Sequence, residues 1–243
     1  MERKRGTVYS YQYVINFEVV MKISNETLSI LKNFASINTN IFFRSGNHIA
    51  TVASSDAIFA RATIKEIIPN EFAIYDLNGL LSTLTLVENQ EVKFEDTKLI
   101  ITSERGTFEY FYSSPDVVKK APETTLEHIE VFTFKLAAED IQMLLKAANV
   151  TKAPYLSVLC KNQNVSLVIG DRKNNSSNNF KKSLGTAFNE FDMIIAVENF
   201  RVIPDAYQVT VAKMENSKAK FLYFKHESKE LEYWIAADPM SKA

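Results

Sequence analysis

An internal repeat constrains this chain more than any other feature, because a recurring pattern must fold twice into the same unit. "NETLSILKNFASI" (25–37) carries Leu28, Ile30, Leu31, Phe34 and Ala35 at helical spacing. "AEDIQMLLKAANV" (138–150) repeats the pattern with Ile141, Met143, Leu144 and Ala148, and Ile141 stands 113 residues after Leu28. Apolar or alternating runs follow each helix. They are "IFFRS", "HIATVAS" and "IFARATI" in the first half, and "YLSVLCK", "VSLVIG" and, after the polar loop "DRKNNSSNN", "FKKSLGTAF" in the second. Each half then shows an apolar strand running into a second helix, "FAIYDLNGLLSTLTLV" and "DMIIAVENFRVI", with Asn78 and Asn199 matched at an offset of 121. The halves close on "EVKFED", "KLIITSE" and "TFEYFYSS", and on "YQVTVAKM", "AKFLYFKH" and "ELEYWIAA". "EDTK" and "ENSK" read as their hairpin turns.

Both halves reduce to the order β-α-β-β-β-α-β-β-β, an α+β class. Two helices per half, each with one apolar stripe, must lie on the same side of an antiparallel sheet. Seventeen Phe and ten Tyr against six Gly and six Pro favour strands and short turns. The expected organisation is an extension over 1–20, domains over 21–115 and 129–243, and a connector over 116–128, within the charged, proline-containing stretch "SSPDVVKKAPETTLEH". The start "MERKRG" is charged, but "VYSYQYVINFEVV" is too polar for a signal peptide and too short for a membrane span. Without residues 1–20 the chain holds 25 basic and 27 acidic side chains.

That near-neutral balance excludes a generally basic nucleic-acid binder and leaves room for one basic face. Once the apolar stripes are turned to the sheet, the first helix presents Ser29, Lys32, Asn33 and Ser36. Its counterpart presents Gln142, Lys146 and Asn149, with Thr151 and Lys152 following. The second helices present Asn78, Ser82 and Thr85, and Asn199 and Arg201. The acids Glu26, Asp76, Glu139, Asp140 and Glu198 stand at helix starts, where the helix dipole favours them. Faces poor in acid suit a phosphate backbone contacted without reading sequence.

Chemistry of other kinds finds no foothold. The three histidines, His48, His128 and His226, are scattered, and Cys160 sits in an apolar run without a neighbouring base. One cysteine allows no internal disulfide, which suits a reducing cytoplasm. No phosphate loop, nucleophile elbow or paired-carboxylate element is present, so neither an enzyme nor a cofactor is expected. "DLNG" (76–79) shares Asp-x-Asn with a calcium loop but lacks the later ligands. Asp76 reads instead as the N-cap of the second helix. Gly79, whose counterpart is Phe200, reads as serving local packing or a close approach of backbone to DNA.

"MKISNETLSILKNFASIN" and "FAIYDLNGLLSTLTLV", with the repeated two-helix domain, resemble the DNA polymerase sliding clamp of T-even-like tailed bacteriophages over residues 21–243. The resemblance implies a homotrimer of six similar domains closed head to tail around duplex DNA, with helices lining the hole and the sheets outside. It also implies partners: the replicative polymerase held by a short C-terminal peptide, an ATP-driven clamp loader and the late-transcription machinery, in the cytoplasm of the infected host. On that reading Lys22, Lys32, Lys146, Lys152, Arg201, Asn78 and Asn199 face DNA. A partner peptide is expected beside the connector and the C-terminus, at Leu126, Ile129, Val131, Tyr233, Trp234 and Ile235. Subunits are expected to join where "TFEYFYS" (107–113), through Phe108, Tyr110 and Tyr112, meets the strand around Lys181–Ala187, through Lys182 and Leu184. A phage structural ring protein and an enzyme with an unrecognised site are the rival readings.

Overall fold

A computed structural model describes residues 20–86, 89–123, 126–174, 176–215 and 217–242. Apart from Val20, the N-terminal extension therefore lies outside the described residues. The first half runs β1 (Val20–Met21), α1 (Asn25–Ile37), β2 (Ile41–Phe43), β3 (Gly46–Val52), β4 (Ile58–Ile68), β5 (Phe72–Ile74), α2 (Leu77–Leu86), β6 (Glu91–Phe94), β7 (Lys98–Ser103) and β8 (Gly106–Phe111). The second runs β9 (Ile129–Leu136), α3 (Ala138–Thr151), β10 (Tyr155–Lys161), β11 (Asn164–Gly170), β12 (Phe180–Thr186), β13 (Phe191–Ala196), β14 (Tyr207–Lys213), β15 (Lys220–His226) and β16 (Leu231–Ala236). The short strand before each second helical position is a separate element, so among the described residues each half has eight strands where the sequence order above gives seven.

The expected fourth helix is absent from the described residues. After β13 the chain makes one 3-10 turn, Val197–Asn199, closed by Phe200 N–H to the Val197 carbonyl at 3.0 Å. Proline at 204 lacks an N–H and keeps Ile203 out of the helical region, and β-branched Val197, Val202 and Ile203 lower propensity further. α2 meets no such stop, and its Leu77, Leu80, Leu81 and Leu84 fill one buried stripe.

The starts of the two first helices are each pinned by a carboxylate, which stands on the strand at α1 and on the helix at α3. At α1, Glu66 of β4 accepts Ser24 N–H and Thr27 Oγ1–H, each at 2.5 Å. Burial alone would raise the Glu66 carboxyl, but these hydrogen bonds outweigh it and hold the group below its ordinary value. At α3 the carboxylate sits on the helix: Asp140 accepts Ala137 N–H at 3.2 Å and pairs with Lys182 of β12.

Three four- and six-stranded sheets follow the orders β1-β6-β7-β8, β12-β11-β10-β13 and β3-β4-β16-β15-β14-β9, with β2 and β5 as a further pair. The six-stranded sheet contains strands of both halves. Its joint is the antiparallel ladder from Ile58↔Ile235 to Ala62↔Leu231 between β4 and β16. On the helix side of this joint Ala60, Ala62, Tyr233 and Ile235 are buried in the main core. On the outer side Trp234 stacks on Phe59 at 4.8 Å and on Tyr223 at 5.0 Å, under Ala121 and Leu126 of the connector.

Candidate nucleic-acid interface and joining edges

Where the halves meet, the helix side carries a polar latch. The Asn33 amide of α1 donates to the Arg201 carbonyl at 2.8 Å, and the Tyr233 hydroxyl donates to Asn33 Oδ1 at 2.9 Å. The Arg201 guanidinium donates to the Ser36 carbonyl, at the negative end of α1, and to the Glu198 carbonyl at 2.8 Å. Arg201 thus holds the two halves together through backbone oxygens. The sequence placed it among independent phosphate-facing cations, and the structure gives its donors this second task.

Lys22, Lys32, Lys146 and Lys152 are exposed, as is Asn78, while Asn199 is half-buried in the 3-10 turn. Lys32 lies on α1 between exposed Ser29 and Ser36, on the face turned away from the sheets. Lys152 caps α3 in the left-handed region, φ 53°, and reaches Asn149 Oδ1 at 3.1 Å. The counterpart of Lys146 at the 113 offset is Asn33, which faces the seam. Lys146 is exposed opposite the buried Ile141, Leu144 and Ala148 of α3, as Lys32 is on the open face of α1.

The expected peptide-pocket residues do not form one surface. Tyr233 and Ile235 are 0% exposed on the helix side of the sheet, and Trp234 is 2% exposed beneath the connector. Strand alternation forces neighbouring side chains to opposite faces, so three consecutive residues cannot line one site. Val131 also packs on the main core, while Ile129 is 43% exposed and Leu126 covers the Trp234 cluster. Beside the connector there is instead a groove of about 630 Å3, lined by Phe42, Arg44, His48, Glu123, Lys225 and Lys229 among others. Arg44 spans its connector wall, bonding Glu123 at 3.0 Å and the Ala121 carbonyl at 3.1 Å. Sequence reasoning missed this groove because its wall is polar and assembled from β3, β15 and the connector, which are far apart in the chain.

The edge strands are where the sequence put them. β8 and β12 each end a sheet and have one neighbour, β7 and β11. Phe108 and Phe111 are exposed to 39% and 62%, whereas Tyr110 and Tyr112 turn inward and pack against the core. Tyr112 is pushed up beyond the ordinary phenol range by burial. Lys182 and Leu184 are half-buried on β12. Asp76 caps α2, its Oδ1 accepting Gly79 N–H at 2.9 Å, and the Tyr110 hydroxyl donates to the Asp76 carbonyl at 2.7 Å. A Cβ at position 79 would lie 2.6 Å from Asp76 Oδ2 and 3.1 Å from the Tyr110 hydroxyl. The glycine thus keeps the cap and the tyrosine in place together.

Solved structures with this architecture define the class first. The chain resembles the proliferating cellular nuclear antigen of Entamoeba histolytica with a TM-score of 0.65 at 15% identity, covering 90% of this chain and 97% of that one. An A. fulgidus PCNA, solved with the C-terminal region of FEN-1 bound, gives 0.64 at 13% identity, covering 93% and 99%. The fold is the DNA clamp fold. Among curated proteins, the sliding clamp of Enterobacteria phage T4 is 30% identical over 210 residues, which is 83% of this chain and 92% of that protein. The sliding clamp of Vibrio phage KVP40 is 28% identical over 228 residues, 90% of this chain and 100% of that protein. A family model described as DNA polymerase processivity factor matches residues 24–118. This chain belongs to the sliding clamp family of DNA polymerase processivity factors of phage DNA replication.

Proposed function

We propose that three copies of this chain close head to tail into a ring, with β8 of each copy pairing with β12 of the next, and that the ring encircles duplex DNA and tethers the replicative polymerase. The carrying observation is the joint inside one chain. There β16, the last strand of the second half, pairs with β4, the third strand after α1. In the repeat the matching elements are β8, the last strand of the first half, and β12, the third strand after α3. "FEYF" (108–111) and "LEYW" (231–234) mark the correspondence. Within one copy those two strands are separate sheet edges, so the second joint of the same kind has to be made between copies. Two units per chain make six around a trimer.

Enclosure retains DNA topologically, so individual contacts are weak, sequence-blind and exchangeable. Lys22, Lys32 and Lys152 supply them from helix starts, faces and ends, and no catalytic step is assigned to the chain. The groove beside the connector takes a short peptide of the polymerase, and the clamp loader and late-transcription factors are further partners. The peptide complex of the A. fulgidus clamp supports docking of this kind.

Changing Lys22, Lys32 and Lys152 together to Glu tests the DNA face. Each phosphate contact contributes a salt slope of about one in log–log terms. The variant is expected to stay trimeric, to lose processive synthesis and to be lost faster from circular DNA. Retention of full processivity would refute this face. Sliding off linear but not circular DNA distinguishes enclosure from ordinary binding.

A further inference from the structure

Between Val117 and Ile129 the described part of the connector forms neither helix nor strand, so no backbone ladder fixes it and side chains must. Resting on the groove reading above, we propose that Lys119 is the positioning residue of that groove. Its ammonium, seated in the turn between β3 and β4, holds the connector where Ala121 and Glu123 wall the groove, and so sets the affinity for the polymerase peptide.

An ammonium has three N–H donors, and here the turn offers three acceptors. Lys119 Nζ lies 3.1 Å from the Ala53 carbonyl, 2.9 Å from the Ser54 carbonyl and 2.7 Å from Asp56 Oδ1. The turn is itself fixed. Asp56 N–H donates to the Ala53 carbonyl at 3.0 Å, Ala53 N–H donates to the Ile58 carbonyl at 2.8 Å, and Asp56 takes the left-handed region, φ 60°. The backbone of Lys119 is held as well: its N–H donates to Asn40 Oδ1 at 3.1 Å, and Asn40 N–H donates to Asn38 Oδ1 at 3.1 Å. Asn38, buried at the end of α1, donates its amide to the Val52 carbonyl at 2.8 Å. Both ends of Lys119 therefore return to the chain beside Val52, the last residue of β3.

The neighbouring contacts press the stretch onto the sheet without fixing its place along it. Val118 is buried against Phe42 and Ala73, and Ala121 against Val52, Phe59 and Trp234. Apolar contact of this kind is non-directional. The Arg44–Glu123 pair has a glutamate side chain 72% exposed, and such pairs contribute little. Directed bonds at Lys119 decide where Ala121 falls two residues later. There the Ala121 carbonyl meets the Arg44 guanidinium at 3.1 Å, on the groove's wall.

Trp234, the only tryptophan, is 2% exposed beneath this stretch and reports on its seating. Acrylamide quenching of its fluorescence is measured on the full chain, together with the anisotropy of a labelled peptide from the C-terminus of the cognate polymerase. Lys119→Met is expected to be quenched more than the wild type and to bind the peptide about tenfold more weakly, with the urea midpoint little changed. Lys119→Glu should lose more, because a carboxylate would face two carbonyls and Asp56. Lys119→Arg, which keeps charge and donors, should bind within about threefold of the wild type. Ala50 lines the groove, and Ala50→Phe fills it. If Lys119→Met binds like the wild type while Ala50→Phe is impaired, the positioning role is refuted and the groove reading stands. Unchanged quenching of Trp234 in Lys119→Met refutes it equally. If the wild type does not take the peptide, or Ala50→Phe takes it just as well, the groove reading fails and this role of Lys119 goes with it. Unfolding of Lys119→Met would also overturn the proposal, because the residue would then serve the fold itself.

Discussion

On the ring reading proposed above, one kind of joint occurs twice, complete between β4 and β16 and half-made at the sheet edges β8 and β12. At the complete joint, β4 and β16 share a ladder, Arg61 pairs with Glu232 at 2.5 Å and lies 5.3 Å over Trp234, and the connector covers the outer face. At the half-made joint Phe111, the counterpart of Trp234, is 62% exposed, with Lys98 of its own sheet 5.4 Å from its ring. The comparison teaches that exposure of large apolar groups on this chain is positional. On β8 it gathers Phe108 and Phe111 on one edge strand, as a joining surface would, while Ile67, Leu86 and Phe188 are exposed singly elsewhere.

The sharpest way to break this comparison is to truncate the same tyrosine at both joints. Tyr233→Ala removes a fully buried ring and the hydroxyl bound to Asn33, and should cost about 3–5 kcal/mol in urea unfolding. Tyr110→Ala removes a half-buried ring and one bond to the Asp76 carbonyl, and should cost about 1–2 kcal/mol in the monomer. Equal losses would mean that the two joints are not counterparts. Next in size is Phe111→Asp, expected to raise the concentration needed for assembly by more than about tenfold, with unfolding little changed. A collapse of the monomer on this substitution would contradict the assignment of β8 as an outer edge.

A smaller effect concerns acid. His226 Nε2 lies 2.9 Å from Asp205 Oδ2, just before β14, and its hydrogen bond holds the Asp205 carboxyl down to about 2 from an ordinary 3.8. Because the folded value is depressed, this carboxylate adds stability above its unfolded value and loses it as pH falls from near 4 towards 2. Asp205→Asn should therefore be less stable than the wild type at neutral pH. The two unfolding curves should approach each other over that window, and a gap as wide at pH 2 as at neutral pH would rule out this linkage.

Much of the fold was legible because it is periodic. The repeat, the helix stripes and the connector follow from spacing, the two joining edges came from the family resemblance, and Asp76 was identifiable as a cap from its place before "LNGLL". The missing helix was legible only in part. "ENFRVI" has helical spacing, and Pro204 lies beyond it, where one residue outweighs a stripe. Which face a helix residue shows was harder to read. Asn33 and Arg201 look like solvated polar residues in sequence, yet they bond across the seam between the halves, a role set by the neighbour across the joint. The groove and the burial of Tyr233, Trp234 and Ile235 depend on the connector lying over the sheet, a contact between segments more than a hundred residues apart.

The central claim is that the unpartnered joint is made between copies. Native mass spectrometry at micromolar protein tests it most directly. Three chains per particle, falling to one chain in the Phe111→Asp variant, is the predicted result. A wild-type protein that remains a single chain would contradict it.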